Sequence, residues 1–278
     1  GNSFADFLLD HPQRIRLGNI PGRANAGTYP DFEYWRVHPF IQDEWKLTPN
    51  LTLNLGIRLE YNSPFVDDRG ESRNMNLGTG KLFPEPGMAR VALNTVSMNN
   101  WAPRFGIAWR PLGGTDFVIR TGYGIFYNVN MINNFVPILA ANPPGTARFE
   151  QNALARRPVL TMATADQVEA LGARASASAA ATDNTVGFVQ QWNFNIQKSL
   201  PWDLVGEIGY SGSKSDHFDN PAEYNAFLLN TIGTANPTRR YPDWASIEVH
   251  DNAAAGSYHG MLTKLERRFS GGLTFLQT

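Results

Sequence analysis

From Leu51 to Tyr61 the chain reads Leu-Thr-Leu-Asn-Leu-Gly-Ile-Arg-Leu-Glu-Tyr, apolar at every odd position and polar or glycine at every even one. An alternation of this period builds a strand with one apolar and one wet face. A helix cannot use it, because at about 3.6 residues per turn the leucines would wind around the whole cylinder. At about 3.3 Å per residue and with the tilt of a barrel strand, the run crosses roughly 25 Å. Thr48-Pro49-Asn50, just before it, reads as a tight turn with Pro where φ is already fixed. Two settings satisfy the run: a sandwich strand with a soluble core on its leucine side, or a barrel strand with lipid there.

Composition narrows the choice. Of 278 residues, 18% are charged and 12% aromatic, the first low and the second high for a soluble domain. Mean hydropathy is nonetheless −0.32, and no apolar run approaches the roughly 18 residues of a membrane helix. A β-barrel reconciles these facts, since its apolar residues are interleaved with polar ones. A net charge of −1 offers nucleic acid no basic face, and the absence of cysteine excludes disulfides, zinc-thiolate sites and a thiol nucleophile. Gly1 to Asp10 lacks the basic start and cleavage site of a secretion signal.

Along the chain, Phe4 to Leu9 suggests one or two helical turns ahead of a first strand, Gln13 to Leu17. Phe32 to Leu47 reads as a second strand, although Asp43 breaks its apolar side and Pro39 is awkward in a ladder. Alternation returns at Trp101–Arg110, Phe117–Tyr127, Phe188–Gln197, Trp202–Tyr210, Tyr258–Phe269 and Leu273–Thr278. Between these runs, Ala165–Ala175 is a candidate helix capped by Asp166, and the alanine-serine tract Ala173–Ala181 reads as low complexity.

The connections have a rhythm. Turns of two to five residues alternate with loops of roughly 13, 39, 58 and 47 residues, lengths that compact soluble domains rarely carry. Outer-membrane barrels carry them systematically, with short periplasmic turns and long extracellular loops. Trp45, Trp109 and Trp202 stand beside short turns, while Tyr61, Trp101, Tyr127, Trp192 and Tyr210 stand beside long loops. Two interfacial aromatic belts predict that distribution.

The block from Phe40 to Tyr61 resembles a strand–turn–strand unit of TonB-dependent outer-membrane receptors, in the Oar-like branch that carries a carboxypeptidase-regulatory-like domain. Ala102–Gly106 with Arg120–Tyr127, Gln190–Asn193 through Gly209–Ser213, and Lys264–Phe269 are similar to further hairpins of that branch. The resemblance implies a 22-stranded barrel with an internal plug, driven by TonB through ExbB–ExbD. No plug, TonB box or closing strand is visible, and about nine strands are counted, so residues 1–278 are expected to form an interior part of such a barrel domain. The fold class expected is therefore all-β: a partial antiparallel up-and-down transmembrane β-barrel in the outer membrane. An open slab of this kind has two unpaired edges and is expected to need detergent.

No catalytic constellation is present. His11, His38, His217, His250 and His259 show no metal-ligand spacing, and Gly209–Ser213 lacks the second glycine of a nucleophile elbow. Gly122-Tyr123-Gly124 is no dinucleotide fingerprint; its glycines are expected to relieve crowding inside a barrel. Arg58, Glu60, Arg104, Arg110, Arg120, Glu207, Lys264 and Glu266 fall on the polar side of their runs. Facing lipid, each Arg or Lys would cost about 2–4 kcal/mol near the midplane, so the polar side must look inward. Arg58, Glu60, Arg104, Arg120 and Glu207 are the lumen-facing candidates for ligand contact, with Asn142–Arg148 and Arg239–Trp244 as loop candidates. No enzyme, cofactor or metal is expected. The partners expected are outer-membrane lipid, TonB–ExbB–ExbD through another part of the protein, and an imported ligand of siderophore, cobalamin or glycan class. The rival expectations are a passive porin or adhesin-like barrel, and a secreted carbohydrate-binding β protein.

Overall fold

The structure is a computed structural model that describes residues 3–18, 31–84, 91–92, 95–96, 99–128, 142–143, 146–151, 160–168, 170–180, 183–234, 237–270 and 273–277. A short helix, α1 (Ser3–Leu8), precedes β1 (Arg14–Gly18). Then come β2 (Phe40–Thr48), β3 (Leu51–Leu59), β4 (Trp101–Trp109), β5 (Phe117–Asn128), β6 (Thr146–Glu150) and β7 (Ala175–Ala180). The last four are β8 (Gly187–Leu200), β9 (Leu204–Glu223), β10 (Ile247–Ser270) and β11 (Leu273–Gln277). Together they form one 11-stranded sheet in the order β1-β6-β7-β10-β9-β8-β5-β4-β3-β2, with β11 joined to β10.

The sheet has two parts. Strands β2, β3, β4, β5, β8, β9, β10 and β11 pair in sequence order, every neighbour antiparallel, and make an up-and-down wall. The wall does not close: among the described residues, β2 and β11 have no wall partner on their outer edges. Register keeps the alternation of each strand in phase with the next. Trp45, Leu53, Ile107, Thr121, Phe194, Tyr210 and Met261 stand in one row across seven strands. Among the described residues no second layer covers this apolar face, where Leu55, Phe105, Phe194 and Met261 remain exposed. A sandwich reading of the leucine run is thereby excluded.

The second part is a cap at the long-connection end. Strand β9 has 20 residues, about 66 Å if extended, against the roughly 25 Å of an apolar band. The β9–β10 hairpin therefore projects beyond the wall as an arm, its ladder running out to Glu223 opposite Glu248. Strand β7 joins the arm in parallel, Ala177 opposite Ile247, and β6 and β1 add to β7. Among the described residues, the three core clusters lie in the cap. Ile15, Ala147, Phe149, Leu160 and Val168 form one; Met75, Ala177, Ala179, Ile247 and Val249 form another; Phe65 and Ala180 seed a third.

Four expectations are corrected. Gln13–Leu17 contributes no wall strand, since β1 pairs with β6 in the cap, so eight wall strands stand among the described residues where about nine were expected. Phe32–Leu47 is broken: Phe32–Glu33 pairs with Val66–Asp67 and Arg36–Val37 with Tyr61–Asn62, and Pro39, which lacks an N–H, precedes the start of β2. The Ala165–Ala175 helix is replaced by a 3-10 turn at Met162–Thr164 and further turns ending at Gly172, with Val168 driven into the core. The alanine-serine tract is a buried strand. Ser176 to Ala180 are covered on both faces, and only small side chains fit between those layers.

Candidate functional site

The polar face of the wall carries the candidate residues. One row runs Gln42, Gly56, Arg104, Gly124, Gln191, Ser213; the next runs Glu44, Asn54, Gly106, Gly122, Asn193, Ser211. Glycine flanks Arg104 on both sides, so its side chain lies along the wall instead of standing off it. Its guanidinium carbon sits 4.6 Å from the centroid of the Phe126 ring, and that ring folds back over Gly124. A Cβ at Gly124 would meet the ring at 3.0 Å, so the second glycine of the Gly-Tyr-Gly motif gives the ring its place. Arg58 repeats the arrangement, 5.3 Å above the ring of Phe40. Stacking of this kind holds a guanidinium in place while leaving its edge donors available.

Arg120 donates from Nη1 to Gln197 Oε1 at 3.0 Å. Glu207 stands opposite Lys264, whose Nζ lies 2.6 Å from Glu266 Oε2. The face is thus cationic across β3–β5 and carboxylate-bearing across β9–β10. Glu60 is different. It follows the last paired residue of β3, is 7% exposed, and is tied through its backbone to Asn100 at 2.9 and 3.0 Å, so it belongs to the wall–cap junction. Arg110 donates to the Pro49 carbonyl and joins two short turns. The five candidates do not converge on one pocket: Arg58, Arg104, Arg120 and Glu207 form a band on the polar face, and Glu60 stands apart from it.

The loop candidates serve the cap itself. Asn142 is fully buried, donating to Arg73 O at 2.8 Å and Ser178 O at 2.7 Å while accepting from Ser178 N at 2.7 Å. Asn225 binds the backbone of Tyr241 and Trp244 in the same manner. Arg240 stacks on Tyr224 and Tyr241, and Trp244 donates to Gly80 O at 2.9 Å. These contacts clamp the 74–83 hairpin to the arm. Beside the clamp, Met75, Leu77, Phe83, Tyr224, Val249 and Asp251 line a cleft of about 640 Å³.

Asp67 nucleates the 67–72 turn. Its carboxylate accepts from the backbone N–H groups of Asp31, Arg69, Glu71 and Ser72 at 3.0, 3.1, 2.8 and 2.7 Å. Burial alone would raise its pKa, but these hydrogen bonds reverse the effect and hold it below the usual carboxylate value. Among the described residues, no three His, Asp or Glu side chains are placed to hold a metal. Four histidines have partners: His38 with Asn62, His217 with Asp216, His250 with Asp219, and His259 with Tyr210.

Sequence reasoning missed a chain of side-chain contacts through Arg14, Glu150, Arg148, Glu248, His250 and Asp219, with links of 2.8, 3.4, 3.4, 3.7 and 3.0 Å. It stitches β1 and β6 to the arm. The i,i+2 spacings Arg148/Glu150 and Glu248/His250 were its only local signal, since such pairs share one face of a strand.

With this geometry in view, the family model for the outer membrane beta barrel domain matches residues 1–278. The chain belongs to that family. In this family the apolar face of the wall meets outer-membrane lipid and the polar face looks into the lumen. No curated protein matches the chain. Similar solved structures include the siderophore receptor PirA from Pseudomonas aeruginosa, at 14% identity and TM-score 0.43, covering 86% of this chain and 32% of that one. A mutant of the ferric enterobactin receptor PfeA from the same organism, in complex with enterobactin, gives 14% identity and TM-score 0.49, covering 93% and 28%. The FrpB iron transporter from Neisseria meningitidis gives 14% and 0.42, covering 85% and 24%. The chain spans a third or less of the length of these structures.

Proposed function

We propose that this barrel domain is part of a TonB-dependent receptor that imports a scarce ligand across the outer membrane, its remaining strands, plug and TonB box lying elsewhere in the protein. The observation that carries the reading is the division of labour between ends. Short turns close one end, while the connections at the other fold into a cap with its own hydrophobic cores. An extracellular cap packed on its own cores suits capture of a ligand before entry. The lumen band of Arg58, Arg104, Arg120 and Glu207 then offers polar contacts to a plug or a passing ligand, and nothing covalent happens to that ligand.

Uptake by cells carrying the whole protein tests the reading. Ferric siderophore, cobalamin and oligosaccharide are offered in turn, with and without a protonophore and with and without TonB. Energised import of one class stops in both treatments. Uptake that persists in both identifies a passive barrel and overturns the proposal.

A further inference from the structure

On the lipid face, close to the short turns, the apolar pattern is interrupted twice in one row: Phe117, Lys198, Gly206 and Leu265 stand side by side across β5, β8, β9 and β10. Glycine leaves a notch where its neighbours carry side chains. Ile196, Ile208 and Thr263 form the next row inward, and Leu200 leans over the notch from the turn side, its Cδ1 lying 3.2 Å from where a Cβ on Gly206 would sit. The result is an open cleft of about 430 Å³. Glu207 and Lys264 also border it, but their positions alternate to the lumen face. Lys198, exposed, is thus the cation of this row on the lipid side. Trp202, 80% exposed in the turn just beyond, stands where an interfacial aromatic would mark the headgroup level.

We propose that this cleft is a binding site for a glycerophospholipid of the periplasmic leaflet. One acyl chain lies in the Gly206 notch between Ile196, Ile208 and Leu265, and the Lys198 ammonium donates to the phosphate. The chemistry favours such an amphiphile because apolar walls and a single ammonium meet at the depth where a headgroup joins its chains. Lysine is a point-charge ligand suited to phosphate, and its pairing there is charge-assisted. A lysine that merely snorkels to water would need no notch beside it.

Native mass spectrometry of the full chain, released from membranes in mild detergent, reads the site directly. Wild type is expected to retain one phospholipid per chain. Lys198→Ala lowers occupancy about tenfold, the effect of losing one charge-assisted hydrogen bond. Gly206→Leu fills the notch and abolishes retention, whereas Lys214→Ala, on the same face near the other end, leaves it unchanged. Gly206→Ala, whose added methyl would come within 3.2 Å of Leu200 Cδ1, gives partial loss and replaces Gly206→Leu if that variant fails to show a strand-rich circular dichroism spectrum. Offered after delipidation, phosphatidylglycerol is retained and diacylglycerol, which has no phosphate, is not. Equal loss in Lys214→Ala, equal retention of diacylglycerol, or wild-type retention no greater than that of the filled variant would each overturn the site.

Discussion

The wall leaves Leu55, Phe105, Trp109 and Met261 exposed at 45%, 45%, 44% and 76%, while the cap buries Phe149, Val168 and Ile247 to 0%. One chain therefore satisfies the hydrophobic effect in two ways. In the wall, apolar side chains are removed from water by lipid, which the membrane supplies; in the cap they are removed by each other. The wall needs only the right alternation and the right register. The cap needs shape, because an interior closed by side chains tolerates neither gaps nor unpaired polar groups.

That contrast is sharpest at Phe149. Replacing it by alanine in the β6 cluster should cost the cap about 3–5 kcal/mol, the range for a fully buried Phe. Phe105→Ala, on the lipid face, should cost far less. Hydrogen exchange on the chain in lipid nanodiscs reads both: Phe149→Ala speeds exchange through β1, β6 and β7 and leaves β3–β5 protected. Equal effects of the two substitutions would erase the distinction between the regions.

The wall has its own sensitivity, to charge rather than volume. Leu55→Arg sets a cation against acyl chains and should lower folding stability in vesicles by about 2–4 kcal/mol, while Asn54→Arg, one residue away on the lumen side, should change it by less than about 1 kcal/mol. Reversed effects in a folding titration would mean that the two faces have been assigned the wrong way round.

The two regions also differed in how far their residues announced them. Wall strands are local objects: the alternation at Leu51–Leu59 or Trp101–Trp109 is written in consecutive residues, and the antiparallel up-and-down order follows from the short turns. That Arg58, Arg104, Arg120 and Glu207 lie on the polar face of their strands was legible for the same reason, since parity alone assigns their side. The cap is held by pairs far apart in sequence. Asn74 binds Ala180 across 106 positions and Trp244 binds Gly80 across 164, and no window of residues displays such contacts. The tract Ala173–Ala181 reads only as low complexity by composition, because the meaning of the strand Ala175–Ala180 lies in the residues packed against it. The Arg–Phe stacks at Phe40 and Phe126 fell between these cases: the arginines were visible, their partners were not.

Buried polar groups give the next smaller effect and belong to the cap. Asn142→Ala removes three hydrogen bonds to the backbone of Arg73 and Ser178, and should cost about 1–3 kcal/mol for the groups left unsatisfied. Limited proteolysis between residues 141 and 181 measures the loss. A protease profile unchanged from wild type would show that Asn142 does not hold β7. Asp67 adds a pH dependence with a definite sign. Its folded pKa lies below 3.8, so its carboxylate contributes full stability above that value and loses it as pH falls through the folded pKa. Exchange in the 67–72 turn should therefore quicken in acid for wild type, and Asp67→Asn should remove that dependence. A turn that opens with rising pH would refute the sign.

The smallest effect expected lies where the two regions meet. The β9–β10 ladder shifts register between Ser215 and Phe218, and His217 there has φ 58°, a left-handed conformation usually left to glycine. A bulge bends the strand that carries it, and this one lies where the arm leaves the wall for the cap. The bend brings the His217 carbonyl against β8: a Cβ on Gly187 would sit 2.6 Å from that oxygen. Gly187→Ala should therefore force the bulge to shift and cost about 1–2 kcal/mol. His217→Gly relieves the left-handed strain but loses the stack on Phe188, whose centroid lies 5.9 Å away, so the two nearly cancel, within about 0.5 kcal/mol. Thermal melts of both variants in detergent measure the pair. A His217→Gly loss as large as that of Gly187→Ala would mean that the imidazole, and not the backbone bend, sets the angle between wall and cap.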